Sequence, residues 1–386
     1  MLQGKRKSLL PKFSDEPCVL LAAGGTGGHL LPAQMTARGL LERNCRVVFA
    51  GKGLAGSGVF DQKEFTFYEI QSSTIASKNP VRVMRSLFLL CKGVWESMRL
   101  LSFLPCTLVV GFGSYHSFPL LFAAWWKKIP ILIFQPDRTL GKVNRFFAKK
   151  ARLIALQFPL EKDECDHVAY VPLFPWNAPA LLSSKNEARE QLHLKKDCFT
   201  LLVFGGSQGA HFINEAILKV AELLQKRGVL FQIIHLTGED PQPFSAFYQS
   251  HLIPSYVKRF EKDMTHLFFA ADLAICRAGA SSCGELISFE LPYLLIPYPY
   301  AGGHQKLNAL YLQNEVKGGE MLLQENVEPK MLTEKICQRK ESLAYHREKI
   351  QEFKRSHSRL KPKKLCDIIC EISKERGCSC KKIHTT

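Results

Sequence analysis

Two glycine-rich turns, one in each half of the chain, constrain the fold more than any other feature of this sequence. They lie in residues 20–29 (LLAAGGTGGH) and 203–210 (VFGGSQGA). Each segment begins with an apolar run typical of a buried strand, breaks at paired glycines and continues with helical spacing. We therefore predict two α/β domains, each built around one strand–turn–helix unit.

The turns favour an anionic ligand. Glycine has no Cβ atom, so backbone N–H groups can approach a phosphate closely, and the following helix N-terminus adds partial positive charge. The G-x-G-x-x-G fingerprint would need glycine where Leu30 stands, and no G-x-x-x-x-G-K-[ST] motif occurs. These absences disfavour a dinucleotide dehydrogenase and a P-loop ATPase. For either turn alone, a purely structural tight turn is the alternative.

Composition restricts the class of protein and the ligands. The 386 residues are 46% hydrophobic and carry a formal net charge of +17, which favours anionic lipid, nucleic acid or a phosphorylated substrate. Residues 1–16 are basic and lack an apolar core, so we predict a disordered start rather than an export signal. No apolar run is long enough to span a membrane, and we expect a cytoplasmic location.

The pattern along the chain divides it into an N-terminal Rossmann-like domain at 17–171 and a second at 172–360, joined by a proline-rich connection within 158–180. Residues 361–386 form an amphipathic helix and tail that we expect to return to the first domain. Alternating strands and helices predict parallel sheets. The predicted strands are 18–23, 46–50, 66–70, 107–111, 131–134, 153–156, 199–204, 230–236, 272–276 and 293–296.

Thirteen cysteines, mostly in apolar runs, indicate reduced buried thiols. Cys366, Cys370, Cys378 and Cys380 gather in the tail without C-x₂-C spacing, so we predict no metal site there.

Residues 80–104 form a predicted helix with more apolar positions than one core contact needs. Its basic residues fall on a narrow stripe, and tryptophans occur both in it and in a second segment of the same domain. Aromatic and basic side chains together are typical of a membrane surface. The predicted patch contains Arg82, Arg85, Phe88, Trp95, Trp125 and Trp126. A well-buried core helix is the alternative.

Several motifs, in order, resemble the MurG family, the undecaprenyl-diphospho-muramoylpentapeptide β-N-acetylglucosaminyltransferases. Besides the two turns they are residues 111–119 (GFGSYHSFP), 260–264 (FEKDM), 276–280 (CRAGA) with Glu285, and His304-Gln305 before Asn308-Ala309. The resemblance covers nearly the whole chain. It implies a GT-B fold, in which two Rossmann-like domains with parallel sheets face a central cleft.

The resemblance also implies the reaction. Such an enzyme moves N-acetylglucosamine from UDP-N-acetylglucosamine to the C4 hydroxyl of lipid-linked N-acetylmuramoyl-pentapeptide, converting lipid I to lipid II with inversion. It serves peptidoglycan synthesis, and hence cell-wall growth, cell shape and division, as a peripheral protein at the cytoplasmic face of the inner membrane. Other cell-wall proteins are implied partners.

By the same resemblance, His29 is the base. A helix N-terminus depresses its pKa and keeps the imidazole neutral. Capping the turn or binding the lipid pyrophosphate is the alternative role. On the acceptor side the resemblance places Thr26, Ser114, Tyr115 and, as a substitute acceptor of hydrogen bonds, Asp137.

The resemblance assigns the donor to residues of both turns and of the second domain. Glu285 would accept from the ribose hydroxyls, His304 and Gln305 would read the sugar, and Phe260 would lie beside uracil. No Asp-x-Asp triplet occurs, so no metal or other cofactor is expected. The donor-binding set is Thr26, Gly27, Gly28, Ser207, Gln208, Gly209, Phe260, Arg277, Ser282, Glu285, His304 and Gln305.

The chain departs from the family in two places. The usual His-Glu-Gln-Asn tetrad is Phe134-Gln-Pro-Asp137 here, and Pro136 has no N–H to donate. The junction motif Gly-Asn-Pro-Val-Arg is residues 172–176 (PLFPW), without the arginine. These departures keep alternatives open: a non-catalytic scaffold that binds UDP-sugar or lipid, another GT-B transferase, or a UDP-sugar epimerase. Nucleic-acid binding would explain the charge but not the paired turns.

Overall fold

The computed structural model describes residues 17–25, 27–74, 79–162, 165–173, 184–206, 210–300, 303–359 and 362–381. The chain forms two compact units. The first contains the described residues of Met1–Pro172 and Pro362–Thr386, and the second those of Leu173–Lys361.

The first unit is built on a seven-stranded, all-parallel sheet with the strand order β3-β2-β1-β4-β5-β6-β7. The interior strand β1 is fully buried because apolar side chains on both of its faces are covered. The elements in chain order are β1 (Cys18–Ala22), α1 (Gly27–Leu41), β2 (Arg46–Gly51), β3 (Phe67–Glu69), α2 (Pro80–Phe103), β4 (Leu108–Gly111), α3 (Phe118–Trp126), β5 (Ile131–Gln135), α4 (Lys142–Ala148), β6 (Leu153–Leu156) and β7 (Val168–Tyr170).

The second unit has a six-stranded parallel sheet with the order β10-β9-β8-β11-β12-β13. Helix α10 continues into a π-helical turn, Leu312–Val316. The elements are α5 (Lys185–Gln191), β8 (Phe199–Phe204), α6 (His211–Lys226), β9 (Phe231–Leu236), α7 (Gln242–Ser250), β10 (Ser255–Lys258), α8 (Thr265–Ala270), β11 (Leu273–Cys276), α9 (Ala280–Ser288), β12 (Tyr293–Leu295), α10 (His304–Tyr311), β13 (Gly319–Met321), α11 (Pro329–Glu341) and α12 (Leu343–Arg359).

The last helix, α13 (Leu365–Lys381), packs on α1 within the first unit. Arg43 Nε donates to Asp367 Oδ1 at 2.9 Å. Beside this ion pair, the Sγ atoms of Cys45 and Cys370 lie 3.4 Å apart as free thiols. Among the side chains that the structure describes, no three His, Cys, Asp or Glu residues are grouped as metal ligands. Cys378 and Cys380 lie outside that set.

The two parallel sheets confirm the predicted α/β fold class, and all ten predicted strands are present with ends shifted by at most one residue. Three further strands, β7, β10 and β13, were not predicted. Each lies at an edge of its sheet, is short, and has mostly half-buried or exposed residues. The expectation that 158–180 is only a connection is therefore wrong for 168–170, which pairs with β6.

Candidate active site

The first glycine turn joins β1 to α1 at the carboxyl end of the first sheet. Gly25 has φ +83°, and a Cβ atom there would lie 2.8 Å from Cδ2 of His116. A Cβ atom on Gly24 would lie 2.7 Å from the carbonyl oxygen of Lys52. These contacts explain why the turn needs glycine. Gly27 is buried and Gly28 exposed at the start of α1, whereas Thr26 lies outside the described residues.

His29 is the third residue of α1 and is half-buried. Burial lowers its pKa below the ordinary 6.5, while the Asp137 carboxylate and the backbone carbonyl of Phe112 oppose the shift. The ring also lies close to the turn that follows β4, because a Cβ atom on Gly113 would lie 3.3 Å from Cε1 of His29. The structure thus brings His29 and Asp137 together and favours a neutral imidazole near pH 7. Catalytic use of that imidazole stays a prediction.

The segment after β4 folds over the glycine turn. Ser114 has φ +69°, and its Oγ accepts a hydrogen bond from the backbone N–H of His116 at 3.4 Å. The backbone carbonyl of Tyr115 accepts from Ser72 Oγ at 2.6 Å. Burial, with the nearby charges of Lys52 and His29, lowers the pKa of His116. His116 was not predicted from the sequence as a site residue, although it directly follows the two predicted acceptor residues.

The altered tetrad spans the end of β5 and the start of the following loop, and Gln135 holds that loop by hydrogen bonds. Gln135 Nε2 donates to the backbone carbonyls of Asp137 and Thr139 at 3.1 and 2.9 Å, and its Oε1 accepts from Asn144 Nδ2 at 2.8 Å. Gln135 and Phe134 are buried, so neither side chain is presented to a ligand. Asp137 is the half-exposed member of the segment.

In the second unit the glycine turn follows β8, and Gly206 has φ +88°. Ser207, Gln208 and Gly209 lie outside the described residues. Helix α6 begins at His211.

The first turn of α6 carries Asn214, which is fully buried. Its Nδ2 donates to the Thr237 carbonyl at 2.9 Å and to Glu239 Oε1 at 2.6 Å. Its Oδ1 lies 3.1 Å from His235 Nε2, so that nitrogen carries the proton. Burial lowers the pKa of His235 to about 3 and keeps it neutral. This network fixes the start of α6 against the end of β9, and it was not predicted from the sequence.

Three predicted donor residues lie at or after the end of β11. Arg277 is buried, and its Nη1 donates to the carbonyls of Ile296 and Pro297 at 3.0 and 3.2 Å. Ser282 and Glu285 are half-buried in α9. Burial raises the pKa of Glu285 to about 8, so the carboxyl group is mainly protonated at pH 7 in the unliganded protein. Arg277 thus contacts backbone carbonyls, and its place in the donor-binding set stays a prediction.

The remaining donor residues follow β12 and β10. Gln305 Oε1 accepts from the Tyr298 backbone N–H at 2.9 Å, and His304 begins α10 after Gly303, which has φ +79°. Phe260 is 40% exposed, after β10. Glu285, His304 and Gln305 therefore belong to helices that start at the carboxyl end of one sheet, where ligands of parallel sheets bind.

Helix α2 is not a well-buried core helix. Its buried residues form one face, Leu90, Gly93, Ser97, Leu100 and Leu101, and none lies before Leu90. None of the helices in the described part of the chain is both long and apolar enough to span a membrane.

An aromatic and apolar surface is left open on α2 and α3. Lys127 at the end of α3 reaches Ser102 of α2, with Nζ to Oγ at 3.0 Å, and Arg99 Cζ lies 4.9 Å from the Trp95 ring centroid. Arg82 and Arg85 are exposed in the first two turns of α2. The exposed members of this surface are Val81 (75%), Met84 (67%), Phe88 (68%), Trp95 (57%), Trp125 (39%) and Trp126 (66%).

Comparison with known proteins gives a consistent result. The model described as glycosyltransferase family 28 N-terminal domain matches residues 19–156, and the family 28 C-terminal domain model matches residues 200–363. A protein of Protochlamydia amoebophila (strain UWE25), named UDP-N-acetylglucosamine–N-acetylmuramyl-(pentapeptide) pyrophosphoryl-undecaprenol N-acetylglucosamine transferase, is 34% identical over 363 residues. The match covers 92% of this chain and 95% of the relative.

Two other similar proteins agree with these matches. A relative of the same name from Chlamydia pneumoniae is 32% identical, over 82% of this chain and 88% of its own. The crystal structure of Acinetobacter baumannii MurG superposes with a TM-score of 0.67 at 24% identity, covering 87% of this chain and 95% of that one. The superposition supports the fold.

Proposed function

The chain belongs to the MurG family of family 28 glycosyltransferases, and from this membership we propose that it converts lipid I to lipid II. It transfers N-acetylglucosamine from UDP-N-acetylglucosamine to the C4 hydroxyl of undecaprenyl-diphospho-N-acetylmuramoyl-pentapeptide. The observation that carries the proposal is the match of both family 28 domains, in order, together with relatives that bear this activity in their names over most of both chains.

The chemistry needs a base for the acceptor hydroxyl, because inversion is a direct displacement at the anomeric carbon. In this proposal His29 takes that proton at an imidazole nitrogen. Its lowered pKa supports the role, since a base must be unprotonated at the working pH. Asp137 raises the basicity of His29 and stabilises the imidazolium that forms.

Departing UDP needs stabilisation of the charge on its diphosphate. We assign this to backbone N–H groups of the glycine turn after β8 and of the first turn of α9, with the Ser282 hydroxyl. Glu285 holds the ribose. Two ribose hydroxyls donate best to an ionised carboxylate, so nucleotide binding favours loss of the proton that burial retains on Glu285.

We further propose that the protein acts peripherally at the cytoplasmic face of the inner membrane, in cell-wall synthesis. The exposed apolar residues Val81, Met84 and Phe88 alternate on α2 with Arg82 and Arg85. Such a helix can bury its apolar side chains at the headgroup level while its arginines contact anionic lipid. Contact with other cell-wall proteins belongs to the same proposal.

The test is incubation of the purified protein with labelled UDP-N-acetylglucosamine and the lipid-linked muramoyl-pentapeptide. We expect the label to move to the lipid. UDP binding without transfer would instead support the non-catalytic scaffold. Salt-sensitive binding of nucleic acid, with none of UDP, would overturn the proposal altogether.

A further inference from the structure

Two tyrosines stand open to solvent directly after β12 of the second unit. Tyr298 is 43% exposed and Tyr300 is 79% exposed. Their ring centroids lie 5.5 Å apart with an interplanar angle of 73°. The rings therefore make an edge-to-face pair at the carboxyl end of the sheet, between the elements that carry Glu285 and Gln305.

Arg277 holds Tyr298 by contacting both its ring and the backbone that precedes it. The guanidinium carbon of Arg277 lies 5.5 Å from its ring centroid, while Nη1 of the same arginine binds the carbonyls of Ile296 and Pro297. A buried cation thus supports both the ring and the backbone that leads to it. This support distinguishes the pair from isolated exposed side chains, which need no explanation.

The neighbouring Gln305 has its amide orientation fixed. The Tyr298 backbone N–H can only donate, so the atom that it meets at 2.9 Å must be the Gln305 oxygen. The Nε2 group, with two donors, is the part of this amide left to offer to a ligand. An aromatic face beside a fixed amide donor suits a ligand with one apolar face and a rim of hydroxyl oxygens.

We propose that Tyr298 and Tyr300 form an aromatic platform on which the pyranose ring of the donor sugar packs, beside Gln305, to which the family resemblance already assigns a sugar contact. The C–H groups on one face of a pyranose pack against an aromatic ring, and the hydroxyl groups at its edge accept hydrogen bonds. The inference rests on the proposed function. The donor is the ligand because the platform lies in the same unit, and at the same sheet end, as Glu285 and Ser282.

The test compares the affinities of UDP and UDP-N-acetylglucosamine, measured by calorimetry, for the wild type, Tyr300→Ala and Tyr300→Phe. We expect Tyr300→Ala to weaken UDP-N-acetylglucosamine binding roughly five- to tenfold and to leave UDP binding unchanged. Tyr300→Phe keeps the ring and should bind both ligands as the wild type does. Tyr345→Ala, an exposed tyrosine on α12, is the matched control and should change neither affinity.

Three results would overturn the platform: equal loss of affinity for both ligands, a defect in Tyr300→Phe as large as in Tyr300→Ala, or a raised KM for the lipid acceptor alone. Because Tyr300 is exposed, we expect its substitution to leave the protein folded, so that a loss of affinity reports on binding. Thermal unfolding of each variant verifies this. These binding readouts need no turnover. A wild type that binds both ligands but transfers no sugar would contradict the proposed function and leave the platform testable.

Discussion

The side-chain amide of Asn144 donates to Gln135 Oε1 at 2.8 Å, across the turn between β5 and α4. The other end of Gln135 holds the carbonyls of Asp137 and Thr139. The segment in which this chain departs from its family therefore ends in a loop that hydrogen bonds hold in place. These hydrogen bonds fix the backbone that carries Asp137, the carboxylate that acts on His29.

Replacing His29 by asparagine should lower kcat by about 10²- to 10⁴-fold, because a positioned base is lost, and should leave UDP affinity nearly unchanged. In the wild type, the lowered pKa of His29 means that the neutral imidazole persists below pH 6.5. The acid limb of the kcat profile should therefore lie below that pH. His167→Asn, an exposed histidine of the same unit, is the control. Full activity of His29→Asn would assign the base elsewhere.

Asp137→Asn removes a charge that raises the pKa of His29. We expect the acid limb of kcat to move to lower pH and the plateau to fall severalfold, since a weaker base takes the proton less readily. A pH series of initial rates at saturating substrates measures both. Asp166→Asn, exposed in the same unit, should leave the profile in place. An unchanged limb in Asp137→Asn would show that the carboxylate does not act on His29.

Glu285→Gln should remove the pH dependence that this carboxyl group gives to stability and to UDP affinity. Burial raises the folded-state pKa from 4.5 to about 8, so the stability that this group contributes is full below about pH 4.5 and is lost as pH rises through about 8. The variant should therefore unfold at a higher Tm than the wild type above pH 8, and at a similar Tm near pH 4.5.

In the wild type, UDP affinity should rise as pH approaches 8, because the ionised carboxylate accepts from both ribose hydroxyls. Glu285→Gln should bind UDP more weakly and lack this rise. Calorimetry across the pH range measures the effect. Equal UDP binding by both proteins would remove Glu285 from the nucleotide site.

Charge reversal of Arg82 and Arg85 to glutamate should weaken binding to vesicles that contain anionic lipid by tenfold or more, at about 1 kcal/mol per basic residue. Sedimentation with vesicles measures the partitioning, and added salt should reduce the difference. The matched control is Lys226→Glu with Lys330→Glu, two exposed lysines of the second unit with the same change in net charge. Equal losses in both double variants would indicate a general charge effect rather than a surface on α2.

The sequence predicted the interior of each sheet because interior strands are predominantly apolar and buried, as in residues 18–22 and 199–204. It did not predict β7, β10 or β13, whose edge positions relax the apolar pattern. The sequence also did not predict contacts between residues that are distant along the chain. The pairing of Asn214 with His235 joins residues 21 positions apart, and the packing of His116 on Gly25 joins two separate loops. Neither contact has a local signature.

The donor residues were identified through motif order and not through geometry, so their chemical states came only with the structure. Burial of Glu285 and the carbonyl contacts of Arg277 depend on packing around β11 and β12. The amide orientation of Gln305 depends on one backbone N–H seven residues away. Local spacing encodes none of these.

We propose a direct displacement in which backbone amide groups and helix ends, without a metal cation, stabilise the departing UDP. The most direct measurement is the product formed from UDP-N-acetylglucosamine and lipid-linked muramoyl-pentapeptide in excess chelator. We expect a lipid-linked disaccharide with a β-linkage to the C4 hydroxyl, formed at the same rate with and without the chelator. No transfer, an α-linkage, or a rate abolished by the chelator and restored by a divalent cation would contradict it.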